Sequence, residues 1–129
     1  MSAGSIVTIT GLAGSATPSS GTFPTASTDD ILGTSGNWTD TGELKLTVAE
    51  GSSFEQSTNY VVVFLLKNPT EGQVSPSVSI EATIKDNNVT VGSIASGAMT
   101  KSATVMYGVS NGTDPLTVVV SVFSVKTIQ

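Results

Sequence analysis

Residues 60–67, YVVVFLLK, and residues 116–125, LTVVVSVFSV, are apolar at odd and even positions alike. Side chains alternate along a strand, so a segment of this kind must be covered from both sides. In the second segment Leu116, Val118, Val120 and Val122 point one way, and Val119, Phe123 and Val125 the other. Such a strand is either central in its own sheet or covered by something from outside the chain. A place near the end of the sequence does not prevent a strand from being central. The first segment is expected to be a central strand. The second is a candidate assembly or junction strand.

The rest of the chain repeats a period of two between turn residues, and nothing sustains a helical period. SIVTIT (5–10) puts Val7 and Ile9 on one face, and ELKLTVA (43–49) puts Leu44, Leu46 and Val48 inward. VSIEATI (78–84) alternates as cleanly and runs into KDNN, residues that tolerate the left-handed conformations of a hairpin turn. VTVGSI (89–94), ATVMYGV (103–109) and the closing strand complete about seven strands, with SNGTDP as the last turn. TDDIL (28–32) has a helix-start signal, with Thr28 as the candidate N-cap, and is expected to make one turn. Residues 11–30 are rich in Ser, Thr, Gly and Pro and read as a long loop, with a candidate edge strand at 22–25. The expected fold is all-β: one domain over residues 1–129, an immunoglobulin-like β-sandwich in architecture, though not necessarily in topology.

What is missing from the composition narrows the chemistry. There is no cysteine, histidine or arginine, and the positive charges are the five lysines 45, 67, 85, 101 and 126. Disulfide and thiolate-metal chemistry, the commonest general base and the bidentate phosphate clamp are thereby absent. A net charge of -5 also repels polyanions, so nucleic acid and anionic membrane are not expected partners. No apolar run approaches the roughly 18 to 20 residues that span a bilayer. MSAGSIVTITG lacks a basic region and a long apolar core, so a secretory signal, if one exists, is expected outside this sequence. Nineteen serines and nineteen threonines beside only 12% charged residues match the composition of exported all-β modules, which sets the expected location as extracellular or cell surface.

Several residues are candidates for chemistry, each with an ordinary alternative. Glu43, Glu50, Glu55, Glu71 and Glu81 could supply a glycosidase-like acid and base pair, but they are scattered over loops and outward strand positions. The chain is therefore expected not to be an enzyme and to need no cofactor. Asp29, Asp30 and Asp114 lie in Asp/Asn clusters that could offer oxygen ligands to calcium, although such clusters are also ordinary turn chemistry. Trp38, the only tryptophan, stands in GNWTDTG among polar residues, where it is either a sugar-stacking platform or a core anchor. Sequons at Asn37, Asn88 and Asn111 are candidate N-glycosylation sites, all in predicted turns and no more numerous than chance provides. Lys45 and Lys67, on predicted strands, raise the question of a Lys–Asn isopeptide crosslink, which would require burial beside an asparagine and a carboxyl.

The strings GSIVTITGLAGSAT, YVVVFLLKNPTEGQVSPSVSIEA, AMTKSATVMYGVSNGTDPLTVVV and FSVKTIQ together resemble a repeated module of large predicted surface proteins of unicellular algae and related marine eukaryotes. Residues 21–38 match that pattern least. The resemblance implies a unit of a tandem array with no catalytic residues, whose terminal strand meets a linker or neighbouring unit. The expected function is then a structural or adhesive module of a secreted or cell-surface repeat protein, whose partners are neighbouring copies or domains. Two alternatives stand beside it: a subunit of an extracellular filament assembled by strand exchange, and a carbohydrate-binding module that takes glycans on Trp38.

Overall fold

The computed structural model of the chain describes residues 1–87 and 89–98. Eight strands follow in order: β1 Ile6–Thr10, β2 Ser20–Pro24, β3 Ala26–Ser27, β4 Ser35–Thr39, β5 Glu43–Thr47, β6 Val62–Val63, β7 Ser79–Asp86 and β8 Val89–Ala98. A single 3-10 turn, Thr28–Asp30, separates β3 from β4. Six strands form one sheet in the order β2-β4-β5-β1-β7-β8, and β3 pairs with β6 in a second, small sheet. Every pairing is antiparallel.

The clean alternators form the middle of the large sheet. Val7 lies opposite Leu46 on one side and Ala82 on the other, while Ile9 lies opposite Leu44 and Ile80. Residues directly opposite in an antiparallel pair share a face, so these side chains make one apolar surface. The reverse face carries rows such as Lys45, Thr8, Glu81 and Thr47, Ile6, Thr83. The core also takes in Leu12, Phe23, Ile31, Leu32, Trp38, Val48 and Val78. Val62, Phe64 and Leu66 pack on it from the second layer, with Tyr60, Phe54 and Met1 at one end.

The sequence expectation is met in class and altered in detail. About seven strands over the whole chain was an underestimate, since the described residues alone hold eight. The long loop over 11–30 is interrupted by β2, the edge strand expected near residues 22–25, and by the two-residue β3. The helical turn is present as a 3-10 turn, but Ser27 rather than Thr28 precedes it; the Ser27 hydroxyl accepts the Leu32 N–H, and Thr28 Oγ1 accepts the N–H of Val61. β4 is a strand where a polar turn was expected, because its inward positions are Gly36 and Trp38, and glycine is silent in an apolar count. A Cβ on Gly36 would lie 2.8 Å from Leu46 Cδ2, so that empty volume belongs to its neighbour.

The largest departure is in residues 60–67. Among the described residues only Val62 and Val63 of this segment form ladder pairs, both with β3. Val62, Phe64 and Leu66 face the core, whereas Val61, Val63 and Leu65 are 60%, 56% and 85% exposed. Among the described residues this segment is a strand covered on one face, not a central strand covered on two. The closing strand, with Leu116, Val118, Val119, Val120, Val122, Phe123 and Val125, lies outside the described residues, as does ATVMYGV.

Candidate functional site

Trp38 is 1% exposed and sits in β4 against Phe23, with the two ring centroids 5.7 Å apart. Phe23 in turn meets Phe64 edge-on at 6.4 Å, so three aromatic rings tie the large sheet to the small one. Tilted and edge-to-face arrangements place the positive rim of one ring near the negative face of the next. The indole N–H donates to the carbonyl oxygen of Thr17 at 3.0 Å, which satisfies the one polar atom this burial would otherwise strand. A sugar platform needs an exposed ring face, and Trp38 has none. Of the two alternatives for Trp38, a stacking platform or a core anchor, its burial fits the anchor and not the platform.

Thr17 has further duties. Its Oγ1 accepts the N–H of Lys67 at 2.7 Å, while the Lys67 carbonyl accepts the Ala16 N–H at 2.9 Å and the Ser15 hydroxyl at 3.0 Å. The hydroxyl-rich stretch that reads as loop is therefore a clamp holding the far end of residues 60–67. At the opposite end the Thr28 N–H donates to the Val61 carbonyl at 2.9 Å. Between the two anchors runs the exposed row Val61, Val63 and Leu65.

Beside that row lies a shallow groove of about 360 Å³, lined by Phe23, Pro24, Thr25, Ala26, Val63, Phe64 and Leu65. Thr25 Oγ1 is the one buried side-chain oxygen among the described residues without a hydrogen-bond partner. A second cleft, of about 520 Å³, lies at the N-terminal end of β1 between Ser2, Ala3, Gly4, Thr47, Val48, Glu50, Asp86 and Asn87. Neither brings a nucleophile and a base within hydrogen-bonding distance.

The remaining candidates scatter. Asp29 and Asp30 are exposed, with φ of 52° and 51°, a left-handed geometry that aspartate tolerates better than most residues. Among the described residues no group of three or more Asp, Glu, His or Cys side chains converges on a point where a metal could sit. Asp114 lies outside the described residues, as do Asn88 and Asn111. Asn37 is exposed, but it is opposite Lys45 in the β4–β5 ladder and not in a turn as expected. Lys45 Nζ pairs with Glu43 Oε1 at 2.8 Å on the solvent face, with half of the lysine side chain exposed. That environment lacks the burial an isopeptide crosslink requires.

What the sequence did not foresee is the exposed apolar row itself. Its signal was the double-sided apolar pattern of residues 60–67, read there as a sign of coverage. The chain matches no known family, no curated protein and no solved structure.

Proposed function

We propose that this chain is a non-catalytic structural or adhesive module of a secreted or cell-surface repeat protein, an immunoglobulin-like sandwich that stacks against neighbouring copies or domains. The observation that carries this reading is the row Val61, Val63 and Leu65. Three large aliphatic side chains stand in line on one face of a segment whose other face is core. Contiguous apolar surface of this kind is a usual mark of a protein contact. Two further features agree with a mechanical role. β1 is hydrogen-bonded along both edges, so tension along it must shear two ladders at once. The hydroxyl-rich, weakly charged composition suits an exported module.

The test is a fusion of two copies in tandem, compared with the single unit by thermal unfolding. Stacking neighbours predicts a higher midpoint for the pair. The gain should vanish with Val63→Lys and Leu65→Lys, substitutions that leave the single unit's midpoint nearly unchanged. Equal midpoints for one and two copies would end the stacking reading. A filament subunit joined by strand exchange is the second reading, and the outer edge of residues 60–67, which pairs with no strand among the described residues, favours it.

A further inference from the structure

The outward row of residues 60–67 does not end at Leu65. Alternation puts Lys67 on the same side, and it too is exposed. At the other end of the row Thr28 grips Val61 twice: its N–H donates to the Val61 carbonyl at 2.9 Å, and its Oγ1 accepts the Val61 N–H at 2.9 Å. Asp29 and Asp30 follow Thr28 directly, and both are exposed. The surface therefore runs from two carboxylates through Val61, Val63 and Leu65 to an ammonium group. Among the described residues the one ion pair joins Lys45 to Glu43, so Lys67, Asp29 and Asp30 have no counter-charge there.

That order of groups is complementary to its own reverse. Two copies set face to face about a two-fold axis, with their rows antiparallel, bring Lys67 of each onto Asp29 and Asp30 of the other. The same register sets Val63 opposite Leu65 twice. Rows laid in one direction would instead put Lys67 on Lys67 and acid on acid, and like charges repel. Shape agrees with charge. The groove of about 360 Å³ runs beside Val63 and Leu65 and is walled by Phe23, Pro24 and Ala26. Leu65 of one copy, 85% exposed, then meets an apolar recess next to Val63 of the other.

We propose that the row Val61, Val63 and Leu65 is a two-fold contact between two copies of this chain, closed at each end by Lys67 of one copy on Asp29 and Asp30 of the other. The pairing rests on the reading of this row as a contact between copies, and it specifies the partner, the direction and the register. A two-fold contact presents the same patch on both copies and is complete at two, whereas a head-to-tail contact continues along an array. The apolar centre supplies the attraction, and the charged ends exclude the wrong direction. Asp29 and Asp30, an exposed left-handed pair that holds no metal among the described residues, thereby gain a use.

The deciding measurement is sedimentation of the full 129-residue chain across a concentration series. Beside it run Lys67→Glu and the double change Asp29→Asn with Asp30→Asn, asparagine being a residue that accepts a left-handed φ. The expected result is a monomer–dimer equilibrium that goes no further, weakened about tenfold or more by Lys67→Glu and less by the asparagine pair. Register is read separately. The chain has no cysteine, so a Val63→Cys copy mixed with a Leu65→Cys copy and oxidised should crosslink to each other in preference to themselves. A monomer at every concentration, oligomers that keep growing, a dimer indifferent to Lys67→Glu, or cysteines that prefer their own kind would each overturn the two-fold contact. A monomeric single chain with a raised midpoint in the tandem fusion would overturn it and leave head-to-tail stacking standing. A dimer of the expected register with no gain in the fusion would do the reverse.

Discussion

The hydroxyl of Ser5 engages the backbone of Lys85 twice, accepting its N–H at 3.0 Å and donating to its carbonyl oxygen at 3.4 Å. Ser2 adds a donor to the same carbonyl at 2.6 Å. The β1–β7 ladder stops at Ile6 opposite Thr83, and these side chains carry the connection onward. Ser5 itself is fully buried. Ser5→Ala removes both part-buried hydrogen bonds and should cost about 1 to 2 kcal/mol. A urea titration would show it as a lowered midpoint with an unchanged slope.

Trp38 offers two graded substitutions. Trp38→Ala removes a wholly buried ring from between the layers and should cost about 3 to 5 kcal/mol. Trp38→Phe keeps most of the packing but leaves the Thr17 carbonyl without its donor, at about 1 to 3 kcal/mol. Calorimetric melting of both variants checks the order. The fluorescence of this single tryptophan should be that of a buried indole and should stay unmoved when polysaccharide is added.

Gly36 and Gly42 should fail for different reasons. Gly36→Ala pushes a methyl to within 2.8 Å of Leu46 Cδ2 and the Lys45 carbonyl, an overpacking of about 1 to 3 kcal/mol. Gly42 closes the three-residue β4–β5 turn at φ +96°, and its added Cβ would sit 2.6 Å from the backbone of Leu12. Gly42→Ala therefore combines a left-handed strain with a clash against rigid backbone and should be the worse of the pair. Denaturation midpoints of the two variants compare them directly.

Lys45 should matter little. Its pair with Glu43 is largely solvated, so Lys45→Gln should change stability by less than about 1 kcal/mol, and by less again in high salt. The intact mass of the chain should equal that of its sequence, because no crosslink joins Lys45 to Asn37. A mass lower by the loss of ammonia would contradict this placement.

β1, β5 and β7 were legible because each alternates on a half-buried surface, and period two is then written in the residue types. β4 was not, since Gly36 occupies an inward position without an apolar side chain to mark it. Residues 60–67 show the converse. Their pattern says that both faces meet something apolar, but sequence spacing carries no information on whether the cover is a strand of the same chain or a neighbour. Trp38 was ambiguous because its flanks, Asn37 and Thr39, are polar whether the ring points in or out. The clamp made by Ser15, Ala16 and Thr17 was hidden by composition, since the small hydroxyl residues that make loops flexible also hold Lys67.

Among the described residues β1 precedes both of its neighbours and lies in the middle of the large sheet, with Ile6 opposite Thr47 on one edge and Thr83 on the other. A ribosome releases it long before either neighbour exists. Until residues 79–86 emerge, one side of an apolar strand stays open to whatever else is nearby. Topologies dominated by such distant pairings fold in about milliseconds to seconds, slowly for their size. The order of synthesis therefore makes β1 wait for both partners, first for β5 and then, some thirty residues later, for β7.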